Sequence, residues 1–215
     1  MARIWAWEEA KAGALWAKAR EVLARGGVLA LPTETFYGLA VNPFQEEALR
    51  RLFRLKERPL EKPVLLLVAT LEMLSQVAGP VSEVAAALIK RFWPGPLTLI
   101  LPARPDLPDL LTGGTGTVGV RQPRHSITLR LVDGLGYPVT GTSANRSGQA
   151  PLTRALEVAR EFGEELDLVL DAGPCPGGEP STIVDVSRCP AHLVRAGAVS
   201  RARLAKLLPE LKEPG

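Results

Sequence analysis

Apolar residues recur along this chain at two spacings, and their alternation predicts strands interleaved with covering helices. From Glu8 to Arg25, Leu15, Trp16, Ala19, Val22 and Leu23 share one helical face, and Gly26-Gly27 supplies the stop. Val28–Leu31 reads as a short buried strand ending at Pro32. A second amphipathic helix spans Gln45–Glu57, with Ala48, Leu49, Leu52, Phe53 and Leu55 inward, and Pro59 forces an extended exit. Val64–Ala69 is apolar on both faces, as a strand under covering helices should be. Helices follow at Leu71–Ala78 and Ser82–Phe92, and Trp93-Pro94-Gly95-Pro96 breaks the pattern. Further strands are expected at Leu97–Leu101, Val118–Arg121, Pro138–Gly141, Leu168–Leu170, Thr182–Val186 and His192–Arg195. The remaining helices fall at Ile127–Leu135, Arg154–Phe162 and Ala202–Leu208. No long linker, repeat or low-complexity tract intervenes. The expectation is a single α/β domain over 1–215, built on one twisted mixed sheet.

Composition narrows the function classes. With 215 residues, 46% apolar and 23% charged, the chain can bury one sizeable core and is not disordered. No apolar run approaches the roughly 20 residues of a membrane span. Met1-Ala2-Arg3-Ile4-Trp5 leads into charged helix rather than a hydrophobic leader. The expected location is therefore the cytoplasm, with no membrane partner. Cys175 and Cys189 are too few for a disulfide framework, and His125 and His192 fall at no finger-like spacing, so both thiols read as structural. A net charge of +3 permits an anionic ligand without requiring one.

Several familiar chemistries are missing. There is no G-x-x-x-x-G-K-[ST] loop; Gly113-Gly114-Thr115-Gly116-Thr117 lacks the lysine and the strand-to-helix setting and reads as a flexible turn. No G-x-S-x-G elbow appears, and neither histidine has an evident Ser or Cys partner. What remains is a set of polar clusters, each read as lying just after a buried strand. They are Pro32-Thr33-Glu34-Thr35, Lys56-Glu57-Arg58, Thr142-Ser143-Ala144-Asn145-Arg146-Ser147-Gly148 and Ser181-Thr182. Each has an ordinary explanation: Lys56 and Arg58 as partners of a helix dipole, Ser143 and Asn145 as turn residues. Together, cations, hydroxyls and an amide at the ends of sheet strands suit a polyphosphate carrying a small polar molecule.

These residues also resemble a known family. Pro32-Thr33-Glu34-Thr35 with Tyr37-Gly38-Leu39, Lys56-x-Arg58-Pro59, and Ser143-x-Asn145 with Ser147-Gly148 are similar to the YrdC-like threonylcarbamoyl-adenylate synthases. Thr117–Arg121, Ser181–Asp185 and Leu193–Gly197 match in order and spacing, so the resemblance runs from about Gly27 to Gly197. It implies an open α/β fold with a concave basic face. The implied reaction joins L-threonine, bicarbonate or CO2, and ATP into L-threonylcarbamoyl-adenylate with release of pyrophosphate, Mg²⁺ entering with ATP. A partner transferase complex then modifies adenosine 37 of tRNA.

Carried over by position, the resemblance assigns threonine to Thr35, Arg121, Gly141 and Ser181. It assigns ATP to Lys56, Arg58, Lys62, Thr117, Ser143, Asn145, Pro151 and Arg195. Lys56, Arg58, Ser143 and Asn145 would carry the chemistry, with both cations of the Lys-x-Arg pair facing the phosphates. Arg58 and Arg121 would line an open cleft and be replaceable without unfolding. Leu67 stands where some longer relatives place a histidine that helps hold threonine. The competing reading is a non-catalytic module binding tRNA or double-stranded RNA. With only 5% aromatics there is little on which to stack bases, so any tRNA binding should be weak.

Overall fold

The computed structural model describes residues 3–213; positions 1–2 and 214–215, the ends of the expected span, lie outside the described residues. Two mixed sheets, rather than the single one expected, organise the fold. The first is built from β1 (Ile4–Ala6), β2 (Leu29–Leu31), β3 (Gly38–Ala40), β8 (Thr142–Ser143) and β9 (Leu168–Asp171), in the order β1-β9-β2-β3-β8. The second contains β4 (Leu66–Leu67), β5 (Leu97–Pro102), β6 (Thr117–Arg121), β7 (Val139–Thr140), β10 (Thr182–Asp185) and β11 (His192–Arg195), ordered β11-β10-β5-β6-β4-β7.

All but one of the helices fall on the expected segments, with ends shifted or shortened; Asp109–Thr112, inside the Pro- and Gly-rich crossing, was not expected. They are α1 (Ala12–Ala24), α2 (Glu46–Lys56), α3 (Leu71–Ser75), α4 (Glu83–Phe92), α5 (Asp109–Thr112), α6 (Ser126–Leu135), α7 (Ala155–Phe162) and α8 (Arg201–Leu204). Side-chain caps explain two of the starts: Thr70 accepts from the Met73 N–H at 3.2 Å, and Ser82 from the Ala85 N–H at 3.2 Å. In α1, Leu15, Ala19, Val22 and Leu23 are buried, whereas Trp16 is half-buried and stacks on Trp7 with ring centroids 4.8 Å apart. Three strands escape the pattern reading. Ile4–Ala6 alternates too briefly to register, and Gly38–Ala40 and Thr142–Ser143 lie inside segments that look like polar loops.

The second sheet positions the site through its two-residue period. On β5, Leu97, Leu99 and Leu101 enter the core, as do Val118 and Val120 on β6 and Val184 on β10. The alternate positions, Thr98 and Ile100, then Thr117, Gly119 and Arg121, then Ile183, face a cavity shared with the first sheet. The chain passes between sheets at a single residue: β7 ends at Thr140 in the second, β8 starts at Thr142 in the first, and Gly141 lies between. A Cβ there would overlap the Leu67 side chain, whose Cδ2 would lie 2.7 Å away, so only glycine fits this crossing. Leu67 itself is fully buried.

Candidate active site

The cavity between the sheets has a volume of about 560 Å³. Every residue assigned above to threonine or ATP lines it, except Lys56. Glu34 sits behind the wall, and the wall carries Arg58, Lys62, Arg121 and Arg195 with no carboxylate among the described residues.

Arg121 closes β6 and is 4% exposed. Its Nη2 lies 3.0 Å from Glu34 Oε2, an ion pair whose N–H points out of line. Nε and Nη2 of Arg121 and Oε1 of Glu34 are buried without an aligned hydrogen bond. Burial pulls the guanidinium below its usual range, and the Glu34 charge opposes that pull. Glu34 is itself fixed, its Oε2 accepting the Arg124 N–H at 3.0 Å. A buried arginine that lines a cavity and is incompletely hydrogen-bonded is suited to an incoming carboxylate. Arg121 lines the cavity as expected, but the expectation that it can be replaced without cost to the fold is corrected: it is half of a buried ion pair.

Two hydroxyls complete this end. Thr35 belongs to the turn between β2 and β3, where the Thr33 hydroxyl donates to the Phe36 carbonyl at 2.8 Å and accepts the Thr35 N–H at 3.1 Å. The Thr35 Oγ1 lies 3.0 Å from that of Thr33, and the Ser181 Oγ lies 2.9 Å from that of Thr98. Arg195 grips Ser181, its Nη2 donating to the carbonyl at 2.8 Å and to the hydroxyl at 3.0 Å. Gly197 packs on the same backbone, and an added Cβ would come within 2.9 Å of the Ser181 carbonyl carbon and the Thr182 nitrogen. Gly197→Ala should thus displace Ser181, costing about 1–3 kcal/mol. Thermal denaturation checks this, and a wild-type midpoint would show that the loop gives way harmlessly.

Arg58 reaches the cavity through the end of α2. Glu57 takes the left-handed conformation (φ 52°, ψ 40°), the only non-glycine to do so among the described residues. Its N–H bonds Arg54 O at 3.0 Å, and the Arg58 N–H bonds Phe53 O at 3.0 Å, a double closure that reverses the chain. The Arg58 Nη2 then donates to Pro63 O at 2.7 Å, and burial depresses its guanidinium pKa. Lys62 is exposed at the rim, and Thr117 shares a 2.9 Å contact with the Thr115 hydroxyl.

Lys56 requires a correction. Expected beside Arg58 on the phosphates, it is 2% exposed and points away from the cavity into the 143–149 loop. Its Nζ donates to Ser143 O at 2.5 Å and Asn145 O at 2.6 Å. Asn145 uses its Nδ2 on Arg146 O and Gln149 O, leaving a buried Oδ1 unpartnered. Sequence reasoning missed the supporting groups Glu34, Thr33 and Thr98. Glu34 and Thr33 were visible in the Pro-Thr-Glu-Thr cluster, whereas nothing in the sequence marked Thr98.

Comparison with known proteins agrees with the fold and motifs. Residues 21–197 match the Sua5/YciO/YrdC family model, described as "Telomere recombination". The chain is 38% identical over 190 residues to a threonylcarbamoyl-AMP synthase of Pyrococcus abyssi, covering 88% of this chain and 56% of that protein. It is 41% identical over 165 residues to one of Thiobacillus denitrificans, covering 77% and 87%. The structure of P. abyssi Sua5 complexed with L-threonine superposes with a TM-score of 0.91 at 36% identity, over 99% of this chain and 62% of that one. E. coli YciO superposes with a TM-score of 0.84 at 26% identity, over 97% and 100%. The chain thus spans little more than half the length of some relatives and nearly all of others. On the match over 21–197, it belongs to the Sua5/YciO/YrdC family.

Proposed function

We propose that this chain is a single YrdC-like domain, acting in the cytoplasm, that makes L-threonylcarbamoyl-adenylate from L-threonine, bicarbonate or CO2, and ATP. The observation that carries the reading is the cavity itself. Its lining includes a buried, incompletely hydrogen-bonded arginine with the hydroxyl residues Thr35 and Ser181, and on the same wall Arg58, Lys62 and Arg195. The threonine carboxylate would lie on Arg121 and its hydroxyl near Thr35 and Ser181, leaving the amine free. The neutral amine adds to the carbon of CO2 and loses a proton, giving a carbamate. A carbamate oxygen then attacks the α-phosphorus, and the bond from phosphorus to the pyrophosphate oxygen breaks. Arg58, Lys62 and Arg195 would absorb the charge growing on pyrophosphate, with Ser143, Asn145, Thr117 and Pro151 bounding the nucleotide.

Mg²⁺ would enter on the triphosphate as part of the substrate, held by phosphate oxygens and water. The product would pass to a threonylcarbamoyl transferase complex acting on tRNA. Direct tRNA contact by this chain would be weak and salt-sensitive. Among the described residues no helix is long and apolar enough to cross a membrane.

The deciding experiment measures pyrophosphate release with threonine and bicarbonate each omitted in turn. Release should require both. Equal release without threonine would end the assignment.

A further inference from the structure

Lys56 is an ammonium buried without a carboxylate. The charged groups around it are accounted for: Arg58 follows it at the end of α2, and the Glu57 carboxylate lies 3.1 Å from Arg146. From the loop, Arg146 also donates to Leu55 O at 3.1 Å and pairs with Glu161 of α7 at 3.2 Å and Glu165 beyond it at 2.8 Å. No acidic side chain among the described residues forms an ion pair with Nζ. Its two hydrogen bonds go to the carbonyls of Ser143 and Asn145, the residues that Ser143-x-Asn145 brings to the cavity. The contact is reciprocal, since the Ser147 N–H bonds Lys56 O at 2.9 Å.

We propose that Lys56 is a positioning residue rather than a phosphate ligand: from behind the wall its ammonium clamps the 143–149 loop, and a polyphosphate in the cavity tightens that clamp by stabilising the charge on it. This rests on the polyphosphate reading of the cavity. Burial, and then the neighbouring Arg58, pull the Lys56 pKa down to about 7. A polyanion beside Arg58 acts in the opposite direction. Near and above neutral pH the ammonium therefore holds its proton less firmly than an ordinary lysine does, and a bound polyanion should draw proton back onto it. Affinity then falls as pH rises, because each binding event must take up that proton.

Inorganic tripolyphosphate is the probe, titrated calorimetrically into the full chain at pH 8 in two buffers of different ionisation enthalpy. Wild type should take up a proton fraction that Lys56→Met lacks. Amide exchange across 143–149 should be about tenfold faster in the variant, the loss of roughly one charged hydrogen bond. Lys56→Arg, permanently charged, should restore loop protection and bind without proton uptake. Methionine carries no buried charge, so the variant should stay folded, which thermal denaturation verifies. Equal proton uptake in wild type and Lys56→Met, or unchanged exchange in the loop, would overturn the proposal. Failure of tripolyphosphate to bind wild type at all would overturn the polyphosphate reading instead.

Discussion

Arg121→Ala should abolish measurable threonine saturation and also destabilise the fold, two effects that separate this arginine from every other cation in the cavity. Its side chain is 5% exposed and that of Glu34 16%. Removing the guanidinium leaves a carboxylate in a poorly hydrated place with one backbone N–H for company, and breaking such a pair costs about 3–5 kcal/mol. A second variant separates binding from stability. Arg121→Met with Glu34→Gln removes both charges and should recover most of the lost stability without recovering threonine binding. Calorimetric denaturation of both proteins, with the threonine dependence of pyrophosphate release, decides the matter. A stable Arg121→Ala protein with a wild-type threonine KM would remove Arg121 from the site and from the core alike.

Arg58→Ala is expected to do the opposite: lower kcat by about 10²–10³ and leave the fold nearly untouched. Its guanidinium makes hydrogen bonds only to the neutral carbonyls of Lys62 and Pro63, at 3.3 and 2.7 Å, and pairs with no carboxylate within ion-pair distance among the described residues. Losing those costs at most about 1–2 kcal/mol. The developing pyrophosphate charge is another matter, since a positioned donor acts there only in the transition state. Saturating threonine should not rescue the variant. A raised threonine KM with unchanged kcat would mean that the two arginines have exchanged roles.

The strand at Val118–Arg121 was readable because its apolar positions alternate, and the structure buries Val118 and Val120 while Thr117, Gly119 and Arg121 face the cavity. The helices were readable for the same reason. Gly38–Ala40 and Thr142–Ser143 were not, because pairing partners rather than side-chain pattern make them strands: Gly38 pairs with Ser143, over a hundred positions away. The division into two sheets was hidden likewise, since it depends on which distant strands pair. Lys56 was misplaced because a lysine beside an arginine at a helix end looks like a second phosphate cation. Only the fold shows that the 143–149 loop, 87 residues on, takes its ammonium first.

The crossing at Gly141 joins the two sheets where both line the cavity. A ligand held by Arg121 on one side and Ser143 on the other would staple the two sheets across a one-residue joint. Such a ligand at a hundred times its Kd adds about 2.7 kcal/mol to stability by mass action alone. Here such a ligand would touch both sheets, so its binding would add to the contacts that hold them together. The threonine-and-nucleotide-loaded protein should then outlast the empty one on heating by more than either ligand achieves alone.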